Sequence, residues 1–408
     1  MTAMTSTTGA RPGARLAWYF SLALLLLAGG AAILYRAVYG LSTTNLSSIT
    51  PWGAWVAFYI YFVGLSAGAF LLSSLIYVFG MTRFEQVGRM ALLTALISMV
   101  VALTFIALDL GRMDRALTTI FRFNWLSPLA WEVRFYAIYI LLLATELWFA
   151  VRVDLVRLSG TSRIVRFLTF GSRSTDDSRD HYWLRLLGTV GIPIAIFGVH
   201  GGTGTIFAVV KARGVWFGPL FPVVFILSAL VSGTALLTLF YVIRQRARLM
   251  PVDGGLVREL GNLLMAFLLV DIGLMFYEIL VPILSMAPHE TEVLHVMTSS
   301  RFAWSFWIVQ LLMGIVIPTV ILFSSLKRSW QWVTAAAVLV VVGIVGVRFN
   351  IVVPALIPPL LPGLPHGDYS PNLVEWASSA GVIALGLTLF SLAAEVLPLD
   401  LNGGAAHE

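Results

Sequence analysis

The stretch FGVHGGTGTIFAVVKAR, Phe197 to Arg213, ends a long apolar run and carries one histidine beside the glycines of HGGTG. Whether that run lies in water or in lipid decides the fold. A helix needs about 20 apolar residues to cross roughly 30 Å of hydrocarbon, and residues 184–210 supply them. Working outward, similar runs recur near residues 17–36, 53–80, 89–109, 130–151, 217–243, 257–285, 301–325, 330–348 and 377–397. The 408 residues are 59% hydrophobic and 11% charged, with a mean hydropathy of +0.91, far from the usage of a water-soluble domain. The runs are continuous rather than alternating, which disfavours a β-barrel. The fold class that follows is an all-α integral membrane protein of about ten transmembrane helices.

No cysteine is present, so this chain alone cannot build a thiolate iron-sulfur cluster, a thiolate zinc site or a disulfide. Any electron chemistry needs a bound organic molecule or a partner subunit. The net charge of +6 and pI near 9.7 read as membrane orientation rather than nucleic-acid binding. With Arg11 and Arg15 in the cytoplasm, alternate loops on that side collect 17 of the 26 basic residues, against about 8 on the other face, so both termini are expected to be cytoplasmic. A cleaved signal peptide is the alternative for the first run, because AGGAA offers small residues; Tyr35 and Arg36 suit an interfacial anchor better.

The loop of residues 172–180, which contains RSTDDSRD, is the most polar segment and divides the chain roughly in half. The expected organisation is a flanking helix and the first part of one bundle over 1–160, a cytoplasmic linker over 161–183, and the remainder of that bundle, a second bundle and a C-terminal flanking helix over 184–408. The whole forms a single membrane domain.

Ionisable residues inside spans cost about 2.5 to 3.5 kcal/mol each at a helix centre, so each asks for a reason. The candidates are Asp109, Glu132, Arg134, Glu146, His200, Asp271 and Glu278. Counting along the helices places Asp109, Glu132, Arg134, His200 and Glu278 toward the outer face, Glu146 near the inner face and Asp271 between. Structural alternatives stand beside each functional reading. Asp109 and Glu132 can pair with Arg112 and Arg134. Asp271 and Glu278, seven apart on one helical face, suit a helix-helix hydrogen bond as well as a proton relay. His200, the one histidine deep in a span, can be a packing residue. Haem between the helices needs paired axial histidines, and His181, His289, His295, His366 and His407 all fall in loops or the tail. GGTG is not a phosphate loop, since no strand precedes it and Gly-Lys-Ser/Thr is absent. Its glycines instead allow close approach to a neighbour or ligand and free backbone groups for hydrogen bonding.

At these residues the chain resembles the NrfD family of polysulfide-reductase membrane subunits. The resemblance is carried by TPWGAWVAFYIYFVGLSAGAFLL (Thr50 to Leu72), ALDLGRMDRA (Ala107 to Ala116), FNWLSPLAWE (Phe123 to Glu132) and HGGTG with its sequel to Gly233. VRFNIVV (Val347 to Val353) and YSPNLVEWASSAGVIALG (Tyr369 to Gly386) extend it almost to the C-terminus. The ten-span length, with Glu132 and Glu146, is similar to the hydrogenase-linked branch. The resemblance implies two four-helix bundles with flanking helices, no haem and no metal. It also implies a quinone, menaquinone or ubiquinone, bound near the outer face. Expected partners are a docked ferredoxin-like iron-sulfur subunit and, beyond it, a molybdopterin enzyme, a nickel-iron hydrogenase or a multihaem cytochrome.

A quinone headgroup needs hydrogen-bond donors for two carbonyl oxygens and a route for protons. The expected catalytic pair is His200, as donor or proton exchanger, and Asp109, in the proton route or orienting a donor. Tyr59, Asn124, Thr203, Gly201, Gly202 and Trp52 are the expected quinone contacts, with Phe58 packing nearby. Glu132, Arg134, Glu146, Asp271 and Glu278 are the candidate proton path. Arg112, Arg115, Lys211 and Arg213 are expected at the surface that meets the partner. Competing readings are a proton-translocating module, a secondary transporter and a purely structural anchor; the outer bias of the charges argues against a transporter.

Overall fold

A computed structural model describes residues 12–116, 118–122, 124–160, 162–361 and 363–400. Arg11, Phe123, Thr161 and His407 lie outside the described residues. Among the described residues ten helices are long and apolar enough to span a membrane: α1 (Gly13–Thr43), α2 (Ala54–Tyr77), α3 (Thr82–Asp109), α4 (Pro128–Arg157), α5 (Ser178–Ala208), α6 (Leu220–Ala247), α7 (Gly254–Ser285), α8 (Ser305–Phe323), α9 (Trp330–Leu356) and α10 (Leu373–Val396). Among the described residues there is no strand. The composition explains this, because in lipid each backbone group must be satisfied within its own helix.

The starts of these helices carry ordinary signals. Ser127 caps α4 through Ala130 N with Pro128 in the first turn, Asp253 caps α7 through Gly255 N and Leu256 N, and Asn372 with Glu375 forms a capping box on α10. The short helix Pro288–Ser299 fills the connection between α7 and α8, and Arg163–Leu168 forms a turn of helix in the linker between α4 and α5.

Helices α2 to α5 pack as one four-helix bundle and α6 to α9 as another, while α1 and α10 pair with each other against α3. The seam between bundles is α2 on α6 and α9. Backbone meets backbone there: a Cβ on Gly68 would collide with the Ala229 carbonyl, and one on Gly233 with Gly68 itself. Small residues permit such an approach where lipid supplies no hydrophobic drive between helices. Consequently α2 is buried along nearly its whole length, whereas α1 presents Leu16, Phe20 and Leu27 outward. The flanking pair is also tied near its ends, with Arg15 and Tyr19 each 2.7 Å from the Glu395 carboxylate.

Two spans depart from α geometry. Residues Ile194–His200 of α5 form a π-helical turn directly after Pro193, and Ser305–Val316 of α8 is π-helical for most of its length. Proline withholds the N–H that would reach the carbonyl four residues back, and π turns concentrate at functional positions. The histidine and glycines of the opening stretch therefore stand where the helix has been rewound.

Candidate functional site

The two ends of the molecule are distinguished here by their loops: one carries Lys211 and the Pro288–Ser299 helix, the other the Arg163–Leu168 segment. At the Lys211 end of the first bundle, α2, α4 and α5 bring three polar side chains onto the hydroxyl of a fourth, Tyr136. The Tyr136 hydroxyl donates to Glu132 Oε1 at 2.5 Å and lies 2.7 Å from the Tyr59 hydroxyl and 2.8 Å from Thr203 Oγ1. Glu132, Tyr136 and Tyr59 are buried, as is Thr203. Glu132 Oε2 has no hydrogen-bond partner. Gly202 lies alongside the Glu132 side chain, where a Cβ would stand 3.9 Å from it.

His200, only 1% exposed, closes the π turn of α5. Neither ring nitrogen has a hydrogen-bond partner. Its ring packs 5.8 Å from Phe225 and, with Arg348, lines the space left open at Gly64, where a Cβ would sit 3.5 Å from both His200 Cε1 and Arg348 Nη2. Nearer the surface, Trp52 stacks on Trp216 at 5.6 Å and meets the edge of Phe207 at 5.4 Å. Phe58 stacks on Phe105.

Asp109 belongs to a different group. It ends α3 within electrostatic reach of Arg36 and Glu375, and its Oδ1 is buried without a partner. Arg36 donates to the Leu110 carbonyl at 2.5 Å. Tyr369 links this group to α2, donating to Glu375 Oε1 at 2.5 Å and accepting from Ala54 N at 2.8 Å. Burial, with the Glu375 carboxylate beside it, pushes the Tyr369 phenol above its ordinary value, so it stays a donor at neutral pH.

A third group occupies the second bundle. Arg348 of α9 is buried, its guanidinium 4.6 Å over the Phe225 ring, and Nε, Nη1 and Nη2 all lack hydrogen-bond partners. Asp271 and Glu278 of α7 lie within its electrostatic reach. Asn350 Nδ2 donates to Gln310 Oε1 at 2.7 Å. A cavity of about 420 Å³ opens onto Arg348, Asp271 and Glu278; Tyr59, Tyr136, Glu132 and His200 are not part of its wall.

The residues expected from sequence thus divide. Glu132, Tyr59, Thr203, Gly202 and His200 share one region with the unforeseen Tyr136, while Asp109 joins Arg36 and Glu375. Asp271 and Glu278 share a wall with the equally unforeseen Arg348. Glu146 stands alone toward the other end of α4, both carboxylate oxygens buried and unpartnered, close to Gly188. The anticipated ion pairs take other forms: Arg112 pairs with Asp114 at 2.8 Å, and Arg134 donates to the carbonyls of Thr119, Ala130 and Ile120. Asn124 lies in an exposed turn, its Oδ1 accepting from Leu126 N, away from the headgroup position expected for it. Gly201 faces its own helix, packed over the Ile196 carbonyl. Arg112, Arg115 and Lys211 are exposed. Arg213 is not: it is buried, donates to the Pro358 carbonyl at 2.8 Å, and burial pulls its guanidinium below the ordinary value. It ties two loops together instead of facing a partner. No group of three metal-ligating side chains occurs among the described residues.

Comparison with known proteins draws these features together. The sequence profile described as "Polysulphide reductase, NrfD" matches residues 42–359, which takes in α2 to α9, the two bundles. The chain is 37% identical over 412 residues to a selenate reductase subunit of Mesobacillus selenatarsenatis, covering 96% of each chain. It is 30% identical to a putative dimethyl sulfoxide reductase membrane subunit of Halobacterium salinarum, over 94% of this chain and 91% of that one. An Hdr-like menaquinol oxidoreductase integral membrane subunit of Archaeoglobus fulgidus is 27% identical over 93% of both. These names lend nothing to the hydrogenase-linked branch suggested by the ten spans. Ten apolar helices, two glycine-sutured bundles and a profile matched across both make this chain a multi-pass membrane protein of the NrfD family, whose relatives named here are membrane subunits of oxidoreductase complexes.

Proposed function

We propose that this chain is the haem-free quinone-reactive subunit of a respiratory complex in the prokaryotic inner membrane, with both termini cytoplasmic. In this reading it binds a quinone or quinol near the outer face and exchanges electrons with a docked iron-sulfur subunit, itself joined to a catalytic subunit. One observation carries the proposal: His200 Nδ1 and Nε2 and Glu132 Oε2 are buried in lipid-embedded helices with no hydrogen-bond partner, beside a relay of three hydroxyls. Orphaned polar atoms at such a depth are costly unless a ligand completes them. They fit a quinone, whose two oxygens ask for donors and whose chemistry, when bound, moves two electrons and two protons.

In this assignment His200 donates to one oxygen and Glu132, when protonated at Oε2, donates to the other, with Tyr59 beside the headgroup. Glu132 takes or gives the proton at Oε2, and Tyr136 orients its carboxylate through Oε1. Trp52, with its aromatic neighbours, would face the ring or the tail. Asp109, paired in charge with Arg36, serves the exchange of protons with the surface rather than the headgroup. The basic residues of the Arg152 and Arg244 loops support cytoplasmic placement of that end. The name of the menaquinol oxidoreductase relative from Archaeoglobus fulgidus favours quinone over a purely structural anchor.

The test is quinone turnover by the purified complex alongside activity with artificial dyes that bypass the membrane subunit. His200→Ala is expected to lower quinone turnover by about 10²- to 10⁴-fold, the usual weight of a general acid or base, and to leave dye activity intact. Asp109→Asn should slow turnover less. If both variants keep full quinone activity, the anchor reading takes its place.

A further inference from the structure

The second bundle contains a feature that the His200 site does not use. Helix α7 is packed at its start, but its buried residues end at Leu268; beyond that it stands away from α6 and α9. The cavity of about 420 Å³ occupies this gap, and its wall is mostly apolar. At its inner end are Arg348, with three unpartnered nitrogens, and Ser228 and Asn350, each with an unpartnered oxygen, all at least nine-tenths buried. A smaller hollow of about 150 Å³ shares Ile279, Leu294, Met297 and Phe306 with it, so the two continue along one side of α7. Tyr277 and Val281 line the large cavity yet are 57% and 58% exposed. The wall is therefore one helix thick and faces lipid.

A long apolar slot ending in a few convergent polar groups is the shape of a site for an amphiphile. The charge at its inner end selects the head. Asp271 and Glu278 already offset the Arg348 cation, so an anionic head would add a further negative charge where the dielectric is low. A neutral carbonyl needs only the donors that Arg348 and Ser228 hold unused. From this we infer that the crevice is a second ligand site, taking an uncharged lipid-borne carbonyl compound of the quinone class with its head at Arg348 and its tail along α7. This borrows from the proposed function only the premise that quinone is the available lipid-soluble carbonyl; the crevice has its own walls, although its Arg348 end adjoins His200 at Gly64.

The experiment uses the whole complex in lipid nanodiscs and a photoreactive short-tailed naphthoquinone, followed by peptide mapping. Label is expected in peptides of α7, α8 and α9 around Ile279, Phe306 and Val347, competed by unlabelled quinone. Ile279→Trp fills the junction of the two hollows from the lipid side and should abolish that label while sparing label in α2, α4 and α5. Arg348→Gln should weaken it about tenfold, the loss of one charge-assisted hydrogen bond, and Arg348→Lys should restore part. Label confined to α2, α4 and α5 overturns this inference and leaves the His200 site standing; label in the crevice alone does the reverse. A phospholipid recovered from the crevice in place of quinone also overturns it.

Discussion

Tyr136 concentrates the chemistry of the first bundle on a single oxygen. A phenol has one hydrogen to give and two lone pairs to offer, and this one faces a carboxylate, a second phenol and a threonine hydroxyl. Its hydrogen goes to Glu132, so Tyr59 and Thr203 must donate to it. Thr203 Oγ1, however, also lies 2.8 Å from the Val199 carbonyl and has one hydrogen for both. The network thus has a rotor at Thr203 and a fixed anchor at Tyr136. Tyr136→Phe leaves Glu132 Oε1 and the Tyr59 hydroxyl buried without a partner, at about 1 to 3 kcal/mol each. We expect a lowered unfolding temperature in detergent together with lost quinone turnover; Thr203→Val should spare most of the stability. Little of this is legible in the sequence. Counting along helices gives depth but not azimuth, so it sets Asp109 and His200 at one level although their groups lie on different helices. Tyr136 carries no charge to draw attention inside an apolar run. Arg348 escapes notice because residues 330–348 read as a complete span that ends on it, whereas α9 continues to Leu356 and encloses it.

At the scale of the element, the ten spans are readable because a hydrocarbon slab imposes a length that composition alone can meet. The π turn of α5 is not: its hydrogen-bond register has no residue signature beyond Pro193 and the loosening glycines. Which helices pair is equally hidden, since small residues mark many faces and packing chooses among them. The seam of α2 and α6 makes that choice visible. Gly68→Leu would force a side chain into the Ala229 carbonyl and Gly233, where no flexible neighbour can yield. Overpacking costs typically 1 to 3 kcal/mol even where rotamers can adjust, so we expect little folded complex on size-exclusion chromatography. Gly68→Ala should be milder but still damaging.

Across the whole molecule, the polar groups are unevenly distributed. The groups of Glu132, Asp109 and Arg348 lie toward the Lys211 end; on the other side the buried Arg152–Asp180 and Arg89–Asp154 pairs are closed, whereas Glu146 keeps both oxygens unpartnered. A quinone site that only exchanges protons with the near surface has no use for Glu146. A subunit that also carries protons across needs it, and its two orphaned oxygens favour that role. In sealed vesicles containing the complex, Glu146→Gln is expected to lower the proton-to-electron ratio while electron flow from quinol continues. An unchanged ratio with a slower rate would show that the glutamate is only a packing residue.

The pairing of α1 with α10 has a consequence for how the molecule is made. The side chains of Arg15, Trp18 and Tyr19 hydrogen-bond to Ser391 and Glu395, more than 370 residues further along. During synthesis α1 therefore emerges well before α10, and these bonds can close only once α10 has also entered the membrane. A nascent chain that stops before α10 leaves the Arg15, Trp18 and Tyr19 side of α1 without its mate.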